Sequence, residues 1–317
     1  MKYLVTGGAG FVGSTIVDRL VAQGHEVIAY DNLSTGNLKF LEQSKEHITF
    51  IKADLLDMPA LTQAMRGVDF VFHMAANADI KDNLKNPTIC LEQNTIATSN
   101  VLEAMRANNV KRIAFASTGS VYGEPDKFPT PETYTFPIQT SMYAASKLAC
   151  EGLLQAYATG YGFQVFIFRF VSLMGERYTH GCVFDFSKKL LANAHELPIL
   201  GNGKQRKSYL YIQDCMDALF IAIEKSSGNI NIYNLGTEEY IEVNTIADMV
   251  CRELHLPNVK YIYSGGERGW VGDSPFILLD ITKMKSLGWK PKLSIAQSVH
   301  KTIHWINENQ WVLKERK

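Results

Sequence analysis

The sequence predicts an α/β fold, a doubly wound parallel sheet accompanied by a smaller C-terminal lobe. Strand-like and helix-like segments alternate over the first half of the 317 residues, and the strand-like segments are apolar almost throughout. Strands of a parallel sheet have this continuous apolar character because helices cover both faces of the sheet. The alternation loosens after about residue 172, so we expect one domain at residues 1–172 and another at 173–317, with a soft boundary that the chain can cross again.

Six strand-like runs define the predicted sheet. The first is followed by apolar residues at helical spacing between positions 11 and 21, which predict a helix that stops at Gly24. Two more helices are expected near residues 243–254 and 293–308. The strand-like runs cover residues 2–5, 26–30, 48–53, 70–73, 112–116 and 164–168.

Bulk composition is that of an ordinary globular protein, with 46% hydrophobic and 20% charged residues. Because 32 Lys plus Arg balance 32 Asp plus Glu, the charge gives no reason to expect nucleic acid or a membrane as a partner. The longest apolar stretches are too short to span a bilayer. Five scattered cysteines without a C-x-x-C pair favour reduced thiols and a cytoplasmic location, and the strand-like first residues argue against a signal peptide.

A glycine-rich turn follows the first predicted strand. Residues 6–14, TGGAGFVGS, fit both G-x-G-x-x-G and G-x-x-G-x-x-G. Gly7 or Gly8 permits the sharp turn, Gly10 lets a pyrophosphate approach the backbone, and Gly13 lets the helix pack on the strand. A strand before the turn and an amphipathic helix after it favour a dinucleotide at the helix N-terminus over an ordinary tight turn.

The second predicted strand ends in Asp31, 18 positions beyond Gly13. A carboxylate at this place can accept hydrogen bonds from both ribose hydroxyls and would repel a 2′-phosphate. Together with the glycines, Asp31 therefore favours NAD over NADP, and an exposed strand-end carboxylate is the alternative.

Tyr143 and Lys147 are four residues apart, which on a helix places them on one face about 6 Å apart along the axis. A phenol has a pKa near 10, so acting as a base near neutral pH requires lowering it by about 3 units, roughly 4 kcal/mol. A nearby ammonium and a positively charged nicotinamide favour the phenolate and together would supply this. Because Y-x-x-x-K is common on helix surfaces, an ordinary surface pair is the alternative. The glycine-rich turn is what favours a catalytic role for Tyr143 and Lys147.

Thr118 lies in STGSVYG, residues 117–123, at the end of a predicted parallel strand. Ligands of open α/β sheets bind outside the carboxyl ends of the strands. The Thr118 hydroxyl can there hydrogen-bond the substrate oxygen that Tyr143 deprotonates. The alternative is a hydroxyl that only caps the turn.

These motifs together resemble the extended short-chain dehydrogenases/reductases, in the nucleotide-sugar epimerase/dehydratase group, whose fold is of the Rossmann type. The resemblance runs from end to end and implies NAD as cofactor and a nucleotide sugar, with a UDP-linked one favoured, as substrate. The matching segments are TGGAGFVGS (6–14), YDNLSTG (30–36), ADL (53–55), HMAA (73–76), STGSVYGEP (117–125), YAASK (143–147) and LGWKP (287–291).

The resemblance also implies a role for individual residues. The implied catalytic residues are Thr118, Tyr143 and Lys147. The implied cofactor-binding residues are Gly7, Gly10, Phe11, Val12, Gly13, Asp31, Asn32, Ser34, Thr35, Gly36, Asp54, Leu55, Met74, Ala75, Ala76, Asn94, Tyr143, Lys147 and Val171. The implied substrate-binding residues are Thr118, Ser172, Arg206, Lys207 and Arg268. Helices near residues 90–108 and 143–160 match those that form a four-helix bundle in a homodimer.

The implied reaction is epimerisation at C4 of a UDP-hexose or UDP-hexuronate. Tyr143 would remove the O4 proton while NAD takes hydride from C4, and the 4-keto sugar would turn over before the hydride returns to its other face. Dehydration is disfavoured because Thr118 is followed by Gly119 and Ser120, where 4,6-dehydratases carry two acids. The alternatives are a UDP-glucuronate decarboxylase or another 4-keto-forming enzyme and, in a different class, a catalytically silent NAD-binding scaffold.

Several positions depart from the family pattern. Ser172 replaces an asparagine that contacts substrate, and Lys207 stands where an arginine would meet the diphosphate, with Arg206 as a substitute one place away. Arg268 resembles the second diphosphate arginine. Ile277 lies near the position that gates bulky 2-substituents, and being smaller than tyrosine it would admit an N-acetyl sugar. We expect no metal site, since the i, i+4 pair His300 and His304 belongs to an ordinary amphipathic helix.

Overall fold

The computed structural model describes residues 1–78, 85–135 and 137–315 of the chain. It contains two compact units, and the chain passes between them several times. The first unit consists of Met1–Gly123, Ile138–Arg169 and Leu219–Tyr233, and the second of Glu124–Pro137, Phe170–Ala218 and Asn234–Lys317. The boundary expected at residue 172 falls close to the passage at residue 170, while the return at residue 219 extends the first unit well beyond it.

A seven-stranded sheet forms the centre of the first unit, in the order β11-β6-β5-β4-β1-β2-β3. β1 pairs in parallel with both β2 and β4, so the strand order reverses direction beside β1. The carboxyl edge at such a reversal is where doubly wound folds bind ligands. The strands are β1 Lys2–Thr6, β2 Glu26–Asp31, β3 Ile48–Lys52, β4 Phe70–His73, β5 Arg112–Thr118, β6 Gln164–Phe170 and β11 Ile230–Leu235. The predicted α/β fold is confirmed.

Burial explains why these strands are apolar over their whole length. All four residues of β4 are buried, as are five of the six in β2, because helices cover both faces of the sheet. The core unites strand residues such as Val71 and Ile113 with Val101 and Leu154 from the helices. Each fully buried aliphatic side chain contributes about 1.5–3 kcal/mol to folding.

The helices of the first unit follow the strands in the predicted order. They are α1 Phe11–Ala22, α2 Met58–Ala64, α3 Thr88–Cys90, α4 Ala97–Ala107 and α5 Met142–Tyr161, with a π-helical turn at Leu91–Ile96 between α3 and α4. α1 stops before Gly24, which has a φ of 77°. α5 begins at Ser141, whose side chain accepts the Ala144 N–H, and ends at Gly162 in the left-handed conformation.

The second unit is built from short strand pairs and amphipathic helices. α6 packs on both α8 and α10, and α10 begins with a capping box formed by Ser294 and Gln297. The strands are β7 Ser172–Met174, β8 Glu196–Ile199, β9 Arg206–Lys207, β10 Tyr209–Tyr211, β12 Ile241–Glu242, β13 Lys260–Tyr263 and β14 Phe276–Ile277. The helices are α6 Cys182–Ala192, α7 Ile212–Lys225, α8 Val243–Glu253, α9 Thr282–Ser286, α10 Ile295–Glu308 and α11 Trp311–Glu315. The part of α7 from Leu219 onward belongs to the first unit. Within the described ranges, every helix is too short or too polar to cross a bilayer.

Candidate active site

The glycine-rich turn between β1 and α1 has no room for a side chain at Gly7, Gly8 or Gly13. A Cβ on Gly7 would lie 2.8 Å from the backbone nitrogen of Ala75, and Gly7 has a φ of 65°. A Cβ on Gly13 would lie 2.0 Å from the Gly7 carbonyl oxygen. A Cβ on Gly10 would lie 3.2 Å from the Gly7 carbonyl oxygen, with no other atom of the described residues, its chain neighbours aside, within 4 Å. The turn is therefore open at Gly10.

The first turn of α1 contains no acidic residue, and no side chain of the described residues caps it. Its N–H groups and the partial positive charge of the helix terminus therefore suit an anion. Together with the open side of Gly10, this turn fits the pyrophosphate of a dinucleotide.

Asp31 fastens this turn to the end of β2. Its Oδ2 accepts the Ala9 N–H at 3.0 Å and its Oδ1 accepts the Leu33 N–H at 2.7 Å. Burial raises the pKa of Asp31, and the two N–H groups partly offset this. Each carboxylate oxygen keeps a second lone pair, so the side chain can still accept a ribose hydroxyl. A Cβ on Gly36 would lie 2.8 Å from Asp31 Oδ1, so glycine lets the following loop pass this carboxylate.

The other predicted cofactor residues of the first unit cluster near the same edge of the sheet. Asn32 donates to Asp54 Oδ2 at 2.8 Å, and its Oδ1 accepts the Ser34 N–H. Met74 and Ala75 bind Thr6 at the end of β1 through their N–H groups. Leu55 and Phe11 are buried, Val12 and Ala76 are partly buried, and Thr35 is exposed.

Asn94 lies in the π-helical turn and joins two segments of the site. It donates to Ser146 Oγ at 2.9 Å, and its Oδ1 accepts the Asn77 N–H at 2.8 Å. Ser146 in turn donates to the Tyr143 carbonyl. Asn94 therefore connects the chain after β4 to the helix that carries Tyr143.

Tyr143 and Lys147 lie on one face of α5 and both meet the end of β5. The Tyr143 side chain is hydrogen-bonded to Thr118, whose Oγ1 also accepts the Ser120 N–H at 3.1 Å. Lys147 is 1% exposed, and its Nζ donates to the Ala116 carbonyl at 2.8 Å. The three predicted catalytic residues are thus brought together.

Burial controls the protonation of this pair. It raises the pKa of Tyr143 well above the ordinary value, although the hydrogen bond with Thr118 acts in the opposite direction. Burial likewise lowers the pKa of Lys147 to about 8. The lowering of the phenol pKa, expected from Lys147 together with the nicotinamide, therefore stays a prediction, because burial outweighs the groups of the chain. The Lys147 ammonium is instead held at the Ala116 carbonyl, 4.5 Å from the centre of the Phe115 ring.

The predicted substrate cations lie in the second unit and are engaged with other side chains. Lys207 forms an ion pair with Asp273, which is 3% exposed. The Lys207 Nζ also lies 4.8 Å from the centre of the Trp270 ring. Arg268 is paired with Glu124 and donates to the Asp273 carbonyl at 2.8 Å. Both cations are therefore already partly neutralised by carboxylates.

Arg206 and Lys207 differ in the direction of their side chains. They are successive residues of β9, so their side chains point to opposite faces of the small sheet β12-β9-β14. The Arg206 guanidinium lies 4.8 Å from the ring centre of Phe276, its partner in β14, whereas Lys207 is in register with Ile277. A role for Arg206 at the diphosphate therefore stays a prediction, and one that would have to act from the other face of β9. Ser172 at the start of β7 is exposed, while Val171 is buried against Gly236.

A family model described as the NAD dependent epimerase/dehydratase family matches residues 3–236. The chain belongs to this family. A UDP-glucose 4-epimerase of Mycolicibacterium smegmatis is 32% identical, with 98% of this chain and 100% of the relative covered. A crystal structure of UDP-glucose 4-epimerase with UDP-glucose, from Thermotoga maritima, has a TM-score of 0.89 and 31% identity over 98% of this chain and 100% of that one. A UDP-N-acetyl-alpha-D-glucosaminuronate decarboxylase of Bacillus cytotoxicus is 28% identical, with 97% of this chain and 98% of the relative covered.

In this member of the epimerase/dehydratase family, sequence reasoning missed a set of buried polar residues behind the site. His73 is 1% exposed, lies between the hydroxyls of Thr6 and Thr98, and has its pKa lowered to about 3 by burial and by Lys147. Glu151 and Arg169 form a buried ion pair. Arg169 in the apolar run of β6 was the available signal, because a charged residue in a buried strand needs a partner.

The pair His300 and His304 bears on the expectation about metal binding. His300 is paired with Glu253 at 3.0 Å and His304 with Glu308 at 3.4 Å, all on or near the surface of the second unit. Among the described residues, His, Cys, Asp and Glu side chains nowhere gather in threes that could hold a metal ion.

Proposed function

We propose that this chain is an NAD-dependent nucleotide-sugar 4-epimerase that acts on a UDP-hexose or UDP-hexuronate through a transient 4-keto sugar. The observation that carries the proposal is the hydrogen bond between Tyr143 and Thr118 at the carboxyl end of β5, with Lys147 one helical turn along α5. Family membership and similarity to UDP-glucose 4-epimerases support it.

The first unit would hold the cofactor. Gly7, Gly10 and Gly13 and the N–H groups of α1 suit the pyrophosphate, and Asp31 suits the adenosine ribose. When bound, NAD supplies a reversible two-electron oxidation at C4 of the sugar. The residues around Asp54, Met74 and Asn94 complete the proposed binding surface.

Tyr143 moves the proton in the proposed mechanism. It accepts the O4 proton when the sugar is oxidised and returns it when the sugar is reduced, while Thr118 hydrogen-bonds the same oxygen. Since burial raises the Tyr143 pKa, the phenol needs nearby positive charge before it can act as a base. Lys147 contributes part of that charge.

The second unit would hold the nucleotide sugar. Lys207 and Arg268 are the proposed diphosphate contacts, and Ser172 is the proposed sugar contact. Arg206 is on the other face of β9 from Lys207, so its proposed role is limited to a peripheral substrate contact.

The reaction is tested by incubating the purified protein with UDP-glucose, UDP-galactose, their N-acetyl forms and UDP-glucuronate. We expect interconversion at C4 without accumulation of NADH. Release of carbon dioxide from UDP-glucuronate would instead identify a decarboxylase. NAD binding without turnover of any nucleotide sugar would favour a silent scaffold.

We also propose a cytoplasmic homodimer formed through the helices of the first unit. Leu91 and Ile96 in the π-helical turn and Met142 and Tyr161 at the two ends of α5 are 41–53% exposed, and large apolar side chains in such positions favour burial by a second copy. Light scattering coupled to size exclusion would test this, and a monomer at micromolar concentration would contradict it.

A further inference from the structure

Helix α5 is joined to the end of β5 at three points, each one helical turn from the next. The hydrogen-bonded pairs are Tyr143 with Thr118, Lys147 with the Ala116 carbonyl, and Glu151 with Ser117. Residues four apart on a helix share a face, so the three side chains form one row. The row holds the last three residues of β5, and only its third member has no part in the proposed chemistry.

Glu151 is completely buried, and hydrogen bonds engage both of its carboxylate oxygens. Ser117 donates to Oε1 at 2.5 Å. The Arg169 guanidinium donates to Oε1 at 3.0 Å and to Oε2 at 2.6 Å. A bidentate guanidinium–carboxylate pair fixes orientation as well as distance, so the Ser117 side chain has a rigid acceptor.

The other end of Arg169 holds the turn that begins at Thr118. Its third guanidinium nitrogen donates to the Tyr122 hydroxyl at 2.7 Å. Tyr122 is the last residue of the short helical turn Gly119–Tyr122, for which the Thr118 side chain is the N-cap. Thr118 is therefore flanked on both sides by residues that the Glu151–Arg169 pair holds in place.

Stability alone gives a weak account of this pair. Buried ion pairs are often no more stabilising than well-packed apolar residues of the same volume, because both charges lose their hydration. What the pair adds is a defined geometry at the end of β5. Small displacements of reacting groups are costly, and about 1 Å of misplacement can reduce a rate about 100-fold.

We propose that Glu151, acting through Ser117 and Arg169, is a positioning residue that aligns Thr118 with Tyr143 for catalysis. Glu151 touches neither the substrate nor the cofactor in this proposal. The inference rests on the proposed 4-epimerase function for its kinetic consequences, but its electrostatic consequence can be measured without turnover.

The electrostatic consequence concerns Lys147. Its ammonium faces Glu151 and Cys150 of α5, Cys90 of α3 and His73 of β4. Burial is the largest influence and lowers the Lys147 pKa, while Glu151 raises it. Burial keeps His73 neutral and raises the pKa of the Cys150 thiol. Removing the charge of Glu151 should therefore lower the Lys147 pKa further.

Three variants separate positioning from stability. Ser117→Ala removes the link to the strand, Glu151→Gln removes the charge while keeping the shape, and Val165→Ala is the matched control. Val165 is fully buried in β6, the strand that carries Arg169, so its truncation weakens the same core without touching the polar network. Thermal unfolding of all three shows how much stability each has lost.

We expect Ser117→Ala to lower kcat about tenfold and Glu151→Gln about 100-fold, with KM for the nucleotide sugar within about twofold. Val165→Ala should keep kcat within about twofold despite its lower melting temperature. In Glu151→Gln, the ¹³Cε resonance of Lys147 should titrate at lower pH than in the wild type and in Val165→Ala.

Unchanged kcat in both polar variants, or a Lys147 titration that does not move in Glu151→Gln, would overturn the inference. If Glu151→Gln does not fold, the kcat of Ser117→Ala decides. If the wild-type protein turns over no nucleotide sugar, the proposed function fails, and the Lys147 titration still decides the electrostatic part.

Discussion

The ion pairs that the proposed chemistry and substrate binding involve differ in burial between the two compact units. In the first unit, the Glu151 and Arg169 side chains are 0% and 9% exposed, and several hydrogen bonds define their geometry. In the second unit, Arg268 and Glu124 are 43% and 44% exposed, and Arg206 lies exposed on aromatic rings. Lys207 and Asp273 form a more shielded pair there, with side chains 13% and 3% exposed.

This difference matches two separate demands on an enzyme. Groups that transfer a proton must stay aligned, and burial with full hydrogen bonding prevents their rearrangement. Groups that receive a flexible anionic ligand benefit from exposed partners, since an exposed ion pair is worth only about 0–1 kcal/mol and is easily exchanged. We therefore expect substitutions of the buried residues to change turnover or the free energy of unfolding strongly, and substitutions of the exposed residues to change them little.

The largest effect is expected for Tyr143→Phe, which removes the proton carrier and its hydrogen bond with Thr118. General acid–base catalysis contributes about 100- to 10,000-fold, so turnover should fall by at least about 100-fold while NAD binding persists. Nucleotide-sugar interconversion and tryptophan quenching by NAD measure the two properties.

Tyr157→Phe is the matched control for that change. Tyr157 lies on the same helix, and its hydroxyl donates to Glu103 away from the catalytic row. Its loss should leave kcat within about twofold. Full turnover by Tyr143→Phe, or an equal loss in both variants, would remove the basis for the proposed chemistry.

Much of the first unit was predictable because its signals are local. The ends of the six predicted strands agree with the structure to within two residues, since burial on both sides produces continuous apolar runs. The glycine-rich turn and the pair Tyr143 and Lys147 depend only on spacing along the chain. The structure accordingly brings these residues to the carboxyl edge of the sheet, as the pattern indicated.

The pairing and orientation of the charged side chains could not be predicted, because they depend on contacts between residues that are distant in sequence. Glu151 and Arg169 are on different elements, and nothing in their spacing indicates that they meet. The faces of Arg206 and Lys207 become defined only through the register of a two-residue strand with β14. The carboxylates Asp273 and Glu124, which pair with Lys207 and Arg268, lie outside the helices and strands, where no periodic pattern exists to predict a partner.

Lys207→Gln should be the most destabilising change in the second unit. Asp273 is buried, so removing the ammonium leaves an uncompensated charge, which costs about 3–5 kcal/mol. Arg206→Gln, on the adjacent residue, removes only contacts with two rings and should cost about 0.5–1 kcal/mol. Urea unfolding of the two variants measures the difference, and equal losses would show that Lys207 and Asp273 behave as an exposed pair.

A smaller change in the free energy of unfolding is expected when the pH is lowered, because of His73 in the first unit. Burial lowers the His73 pKa to about 3, so between about pH 6.5 and 3 the unfolded chain binds a proton that the native chain does not. Stability is therefore lost as the pH falls through this window, by about 2 kcal/mol at pH 5.

The His73→Asn variant tests this assignment because it lacks the titrating group. Its free energy of unfolding should fall between pH 7 and 5 by about 2 kcal/mol less than that of the wild type. Parallel pH profiles for wild type and His73→Asn would mean that His73 does not carry the acid sensitivity.

The smallest effect is expected for substitutions in the exposed pair Arg268 and Glu124, where the direction of the change in KM is informative. Glu124 occupies the Arg268 guanidinium that we propose for the diphosphate, so the carboxylate and the substrate compete for one cation. Glu124→Gln should change the free energy of unfolding by less than about 1 kcal/mol and lower KM for the UDP-sugar by up to about fivefold, with kcat unchanged. Arg268→Gln should raise KM instead, and added salt should reduce both differences by screening the exposed charges. An increase in KM for Glu124→Gln would mean that the pair must stay intact when substrate binds, and the second unit would then resemble the first in requiring a fixed arrangement of charge.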